Sequence, residues 1–404
     1  MNSELQRRIP TVKHLREVSR RRSPRFSFDC GDGGAGDDTG IRRNWKALDD
    51  VEMVPRYGVM TSLPNVEMEL FGHRYSAPIG IAPMGSPGII WPGADAYLAG
   101  AAQAHNVPYG LSTVSGLAIE RAAQLAPDVL WFQLYRFPNE NHKMGLDLVR
   151  RADAAGAKAL VLTLDTPIRT TRTREVLAGI ASPFRFTPRM IAEALSCPAY
   201  CTAFLGHGIP RFANFLQYFP GLSLNEMVKS MQKEMRGAIS WEDVALYRDK
   251  WKKPLLVKGI LHPADAEKAI ALGVDGIWVS NHGGRQIEAL PAPIDALPGI
   301  VAAAKGRAKV IYDSGIRSGE DVVRAMALGA DAVFAGKAFL WSLGALGHDG
   351  PAHALDLFID EVRAAMGQIG AKTFDEARAT CIRHPGALDI PASPAVRPGL
   401  VKTA

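Results

Sequence analysis

The chain has no uninterrupted apolar run of about 18 residues, the length a membrane-spanning helix needs, which argues against a transmembrane segment. Its N-terminus carries charges without an apolar core segment, so no secretory signal is expected, and Glu4 and Glu17 speak against an Arg- and Ser-rich transit peptide. Cysteine is scarce: Cys30, Cys197, Cys201 and Cys381 are the only four among 404 residues. Cys197 and Cys201 have no second pair or nearby histidines, so neither a disulfide framework nor a metal centre is expected. A reducing cytoplasm is the expected setting. Aromatics make up only 8% of residues, and none interleave with base-reading side chains as in a nucleic-acid site. The net charge of +6 owes much to Arg7, Arg8, Lys13, Arg16 and Arg20-Arg21-Arg22, which read as a solvated basic helix or as an arm for anionic partners.

What is present is a repeated phrase. Ala154-Ala155-Gly156-Ala157-Lys158 leads into Ala159–Thr163, Leu272-Gly273-Val274-Asp275 into Gly276–Ser280, and Leu328-Gly329-Ala330-Asp331 into Ala332–Gly336. Each copy reads as a helix ending at a glycine, then a loop, then a strand. Continuous rather than alternating apolar residues point to parallel strands covered on both faces. The same pattern predicts strands at Ile79–Ala82, Tyr109–Ser112, Val129–Leu134, Ala159–Leu164, Pro254–Lys258, Gly276–Ser280, Lys309–Asp313 and Ala332–Gly336. Most lie about 20 to 33 residues apart, the period of βα units in an eight-stranded α/β (TIM) barrel. Predicted helices fill the intervals, for example Ala94–His105, Asn141–Ala155, Pro263–Leu272 and Gly319–Leu328, with Pro263 and Ser318 at starts.

Residues 1–75 read as a helical N-terminal extension, 76–385 as the barrel, 168–253 as an inserted lid after strand four, and 386–404 as an irregular tail. A gap that long on a barrel usually covers the active-site face. Its middle mixes aromatics, prolines and arginines, which suits lid packing or contact with a membrane surface.

Barrel chemistry occupies the C-terminal strand ends. In order these offer Pro83-Met84, Ser112-Thr113, Gln133 with Tyr135, Thr163 with Asp165, Lys258, Ser280-Asn281-His282 with Arg285, Asp313 to Arg317, and Gly336-Lys337. The last two segments combine glycines for close backbone approach with cations, as a phosphate cradle requires. Lys258 suits either a Schiff-base nucleophile or a fixed cation beside a developing anion. His282 beside Arg285 suits a proton acceptor next to a carboxylate anchor, because arginine offers a two-pronged fork. Asp165 is placed to hold an imidazolium from across the barrel.

From about Pro24 to Ile369 the chain resembles the FMN-dependent 2-hydroxy-acid oxidase and dehydrogenase family, which includes glycolate oxidase, lactate oxidase and mandelate dehydrogenase. The resemblance rests on Ile81-Ala82-Pro83, Trp131–Tyr135, Leu162–Pro167, Leu256–Gly259, Val279–Gln286 and Asp313–Arg317 taken jointly. It implies FMN across the barrel mouth, with Ala82, Pro83, Met84, Ser112, Gln133, Thr163 and Ser280 near the ring. Lys258 would sit at the ring's N1 and O2 edge, and Asp313, Gly315, Arg317, Gly336 and Lys337 would hold the ribityl chain and phosphate. It further implies oxidation of an L-2-hydroxy acid to the 2-oxo acid. His282 would be the base, Asp165 its stabiliser, Arg285 the carboxylate anchor and Tyr135 a partner near the hydroxyl. The resemblance suggests a homo-oligomer, possibly a tetramer, and leaves oxygen, a quinone or a protein as electron acceptor.

Three departures stand out. Cys30 occupies the position of a tyrosine that helps bind the substrate carboxylate in the family. Lys337 stands for a phosphate-binding arginine, keeping the charge and losing the fork. The segment Ile168 to Glu175 is about two residues longer than usual, and Arg174 best matches the second substrate-side arginine, with Arg172 as the alternative. The missing tyrosine keeps open a same-fold flavoenzyme acting on an amine or modified peptide, and Lys258 a flavin-free Schiff-base lyase.

Overall fold

Eight short strands, almost wholly buried, pair in parallel in chain order and close on themselves. They are β1 (Ile79–Ile81), β2 (Tyr109–Ser112), β3 (Leu130–Leu134), β4 (Ala159–Thr163), β5 (Leu255–Ile260), β6 (Gly276–Val279), β7 (Lys309–Tyr312) and β8 (Ala332–Ala335). All eight predicted strands are present, each shifted by no more than a residue or two at its ends. This computed structural model describes residues 3–59, 62–168, 170–180, 187–379 and 382–390. The fold is a TIM barrel, as its sequence pattern implies.

The barrel is filled, not hollow. Trp131, Trp278 and Phe334 meet inside it, with the Trp278 and Phe334 rings 4.3 Å apart and Trp131 5.3 Å from Phe334. Gly80 makes room for this cluster, since a β-carbon there would come within 2.5 Å of Phe334. An antiparallel ribbon, Met68–Leu70 with His73–Tyr75, brings Phe71 to 5.9 Å from Trp131, and the Trp131 indole donates to the Tyr75 hydroxyl. Strand register then fixes the rim: Ser112 pairs with Gln133, and Thr163 with Lys258. Side chains that chemistry needs become neighbours through hydrogen bonds of the sheet.

Helices on the outside follow their sequence signals. Pro263 opens Pro263–Ala271, and the Ser318 hydroxyl accepts from the Asp321 amide at the start of Gly319–Ala327. The N-terminal part holds the helices Ser3–Arg8, Val12–Arg22, Arg25–Asp32 and Thr39–Asp49. Val12–Arg22 lies against the barrel helix Lys337–Leu346, closely enough that a β-carbon on Gly344 would strike Ser19. A short strand, Glu52–Met53, pairs antiparallel with Ile382–Arg383 near the other end of the chain. Neither small ribbon is legible in the sequence pattern.

Between β4 and β5 lie the helices Thr173–Leu177, Pro188–Leu195, Pro198–His207, Leu224–Glu234 and Trp241–Lys250. Residues 386–390 form no helix or strand, and the remainder of the expected irregular tail lies outside the described residues. No described helix is long and apolar enough to cross a membrane.

Candidate active site

The turn after β6 carries the chemistry. His282, Gly283 and Gly284 are all left-handed, with φ of 59°, 67° and 73°. Glycine accepts that backbone freely; histidine tolerates it at modest cost. The turn is held by the Ser280 hydroxyl, which accepts from the His282 amide, and by Ser314, which accepts from the Gly283 amide. His282 Nδ1 meets Asp165 Oδ1 at 3.0 Å. Gly259, with φ of 100°, lets β5 come that close to Asp165, since a β-carbon there would lie 2.5 Å from the Asp165 side chain. Burial pushes the Asp165 carboxyl up, but His282 and then Lys258 more than offset this and hold it below its ordinary range.

Cations surround this pair. Lys258 donates to Ser280 Oγ at 2.6 Å and pairs with Asp313, whose carboxylate also accepts from the Trp278 indole. Those are the contacts of a fixed cation, not of a free nucleophilic amine. Arg285 donates to the main-chain carbonyls of Cys30 and Gly33 and pairs with Glu175. Arg172 pairs with the same Glu175 oxygen at 3.1 Å. Burial lowers the Arg285 guanidinium's affinity for its proton, and the Arg172 charge adds to that. Tyr135 is pushed up to about 12 by burial and by Asp165, so its phenol stays protonated and can donate.

Lys337 opens the helix after β8 and directs its ammonium to the carbonyls of Gly31, Asp32 and Gly33, the end of the helix Arg25–Asp32. Burial lowers it well below its ordinary range, with Arg285 adding to the effect. A buried cation at a helix N-terminus beside Gly336 is suited to an anion such as phosphate.

One cavity of about 1340 Å³ takes in Ala82, Pro83, Met84, Tyr135, Lys258, His282, Arg285, Asp313, Gly315, Gly336 and Lys337. Its size, its paired cations and the glycine turns Ser314-Gly315 and Gly336 fit a tricyclic ring with a phosphate tail. Ser112, Gln133 and Thr163 are buried behind its wall in a hydrogen-bonded row, Gln133 accepting from Ser112 at 3.0 Å and donating to Thr163 at 2.8 Å. Ser280 is likewise buried and serves Lys258 and His282.

Two expected contacts take another form. Arg174 is turned away from the cavity and tied to Asp29, Asp32 and Asp38; of the two, it is Arg172 that lines the cavity. The buried Asp32, with 1% side-chain exposure, gathers both Arg16 and Arg174, and Asp29 and Asp38 add to the pull on Arg174. Arg317 is paired with Asp49 and Asp321 rather than lining the cavity.

Sequence reasoning did not single out Glu175, although its position three residues after Arg172 on a helix is the spacing of an ion pair. It also missed Asn44 as the partner of Asn281: their amides bond reciprocally at 2.9 and 2.7 Å and fasten the N-terminal extension to the His282 turn. No local signal could have paired residues so far apart in the chain.

A barrel with this rim defines a flavin-dependent oxidoreductase. The chain matches the family described as FMN-dependent dehydrogenase over residues 19–384, and it belongs to that family. It is 37% identical to an L-lactate dehydrogenase of Ectopseudomonas mendocina over 370 residues, 91% of this chain and 97% of the relative. An L-lactate dehydrogenase of Pectobacterium atrosepticum is 38% identical over 367 residues, 90% and 94% of the two chains. Among solved structures, a monotopic membrane protein, (S)-mandelate dehydrogenase, superposes with a TM-score of 0.88 at 33% identity, covering 93% of this chain and 99% of that one. A mandelate oxidase with (S)-4-hydroxymandelic acid gives a TM-score of 0.80 at 33% identity over 94% and 99%. Membership of an FMN-dependent family sets aside the flavin-free lyase.

Proposed function

We propose that the protein oxidises an L-2-hydroxy acid to the 2-oxo acid, with His282 as the proton acceptor. The observation that carries this is the His282–Asp165 pair opening onto the same cavity as Arg285, Tyr135 and Lys258. With Nδ1 donating to Asp165, Nε2 keeps its lone pair for the substrate hydroxyl proton. Asp165 then faces an imidazolium it can stabilise. Arg285 and Arg172 hold the substrate carboxylate, and Tyr135 donates to the reacting oxygen. Lys258, fixed by Ser280 and Asp313, keeps positive charge at the cofactor edge, and Lys337 with the Gly336 helix start neutralises its phosphate. FMN, when bound, supplies the two-electron acceptor for the hydrogen leaving the carbinol carbon. The purified protein is expected to be yellow, and L-lactate or (S)-mandelate should bleach it without oxygen. A stable yellow colour under every 2-hydroxy acid, with bleaching by an amine, would transfer the site to the amine-oxidising alternative.

The insertion also exposes Ile168, Val176, Leu177, Leu195, Leu205 and Ile209. Together with the membrane association of (S)-mandelate dehydrogenase, this supports peripheral attachment through the insertion. Cosedimentation with anionic vesicles, abolished by Leu177→Glu with Leu205→Glu, tests it.

A further inference from the structure

The cavity does not end at the catalytic groups. It is also lined by Phe26 and Cys30 on the helix Arg25–Asp32, by Ile191 and Leu195 on the helix packed against that one, and by Phe204 and Leu205 on the next, with Ile90 beside them. Its total volume exceeds the roughly 300 to 1,000 Å³ usual for small-molecule sites, more than a cofactor alone accounts for. The outer lip is apolar and exposed: Ile191, Leu195 and Leu205 show 49%, 69% and 85% of their surface to solvent.

Chemistry at the inner end identifies the occupant. The Cys30 carbonyl accepts from Arg285 at 3.0 Å, so this wall begins at the residue proposed to grip the substrate carboxylate. Phe26 lies one helical turn before Cys30 and packs edge-on against Tyr200 at 6.0 Å. In a 2-hydroxy acid the side chain leaves from the carbon next to the carboxylate. A wall starting at the anchor therefore receives that side chain. A thiol at position 30 leaves this entrance open; burial pushes it up to about 11, so it stays a neutral, weakly polar group and adds no charge to the passage.

We infer that the corridor from Cys30 to Leu205 binds the hydrocarbon chain of the substrate, and that the preferred substrate is an L-2-hydroxy acid with a long alkyl chain. This rests on the proposed function, whose anchor supplies the corridor's starting point. The anionic head meets guanidinium groups, the chain meets an apolar wall, and the lip admits an amphiphile end-on.

The test uses the FMN-loaded enzyme without oxygen. Flavin bleaching is titrated with L-lactate, L-2-hydroxyhexanoate and L-2-hydroxydecanoate, and binding of 2-oxodecanoate is measured by calorimetry. Apparent affinity should rise about fourfold per added methylene, the equivalent of about 0.8 kcal/mol for each one buried. Ala194→Trp on the corridor wall should end that gain at a shorter chain. Leu195→Glu at the exposed lip, where folding is not at stake, should weaken the decanoate most. Bleaching that is equally sensitive to lactate and to the decanoate would overturn the corridor and leave the proposed function standing. So would a chain-length effect confined to flavin reoxidation by lipophilic quinones, which would assign the passage to the electron acceptor. Failure of every hydroxy acid to bleach the flavin would remove the functional reading itself, and the corridor with it.

Discussion

Replacing Asp165 by asparagine isolates the electrostatic part of the proposed mechanism. The side chain stands behind His282, off the cavity wall, at 3.0 Å from Nδ1. Opposite charges about 4 Å apart attract by about 4 kcal/mol at an effective dielectric of about 20. That attraction exists only once His282 has taken the proton, so it favours the transition state over the bound substrate. The amide keeps an acceptor oxygen and recovers roughly 1 to 2 kcal/mol as an ordinary hydrogen bond. About 2 to 3 kcal/mol is lost, a slowing of roughly 30- to 150-fold. Stopped-flow flavin bleaching under anaerobic substrate saturation measures the rate, and its concentration dependence gives the apparent Kd. The rate should fall with Kd and flavin content nearly unchanged. A fall smaller than about threefold, or one appearing in Kd alone, would refute the idea that this carboxylate stabilises an imidazolium.

Three further expectations follow from neighbouring contacts. Arg172→Ala should raise the apparent substrate Kd roughly tenfold or more, as loss of a charged hydrogen bond does. Arg174→Ala should instead cost about 1.5 to 3 kcal/mol of stability, because the buried Asp32 loses one of its two arginines and keeps only Arg16, with Kd little changed; thermal melting and substrate titration separate the two. Gly259→Ala should lower both melting temperature and bleaching rate, because the new β-carbon meets Asp165 at a left-handed φ, a strain of about 1 to 3 kcal/mol. Asp95 predicts a pH effect. Burial raises its carboxyl from 3.8 to about 6 despite bonds from Ser115 and Gly116, so the native state binds the proton first. Its ionisation costs about 3 kcal/mol of stability that is fully felt above about pH 6 and vanishes below about pH 4. Relative to Asp95→Asn, the wild-type melting temperature should fall as pH rises through that window and run parallel above it; parallel curves throughout would contradict the raised value.

The barrel was legible because its strands are covered on both faces and so appear as unbroken apolar words such as Leu255-Leu256-Val257 and Ile277-Trp278-Val279. A strand ending in a polar residue announces the rim, which is why His282, Lys258 and Asp313 could be found without coordinates. What stayed hidden depends on partners distant in sequence. Asn44 is an unremarked polar residue until Asn281, across most of the chain, bonds it. Arg172 and Arg174 differ by two positions on one segment, and Asp29, Asp32 and Asp38, far off in the chain, draw Arg174 away from the cavity. Arg317 shows the same limit: it pairs with Asp49 and Asp321, and a motif records the cation without its counter-ions.

Those counter-ions reveal how the site is held before any ligand arrives. Arg285 and Lys337 both donate to carbonyls at the end of the helix Arg25–Asp32, Arg285 and Arg172 share Glu175, and the same helix carries Cys30. Helix C-terminal carbonyls carry partial negative charge, so this end acts as a neutral counterpart to two buried cations. A phosphate entering beside Lys337 offers it a full charge in exchange for partial ones, and a carboxylate beside Arg285 adds a second full charge to that of Glu175. Exchange of that kind is favourable without requiring the arginines to be immobilised on binding, since they are already in place. It also ties two properties together: the helix that steadies the anion anchors sets the wall that meets the substrate's side chain. A substitution that tilts this helix must therefore alter anchoring and chain-length preference at once, whereas one confined to the corridor's lip can alter only the second.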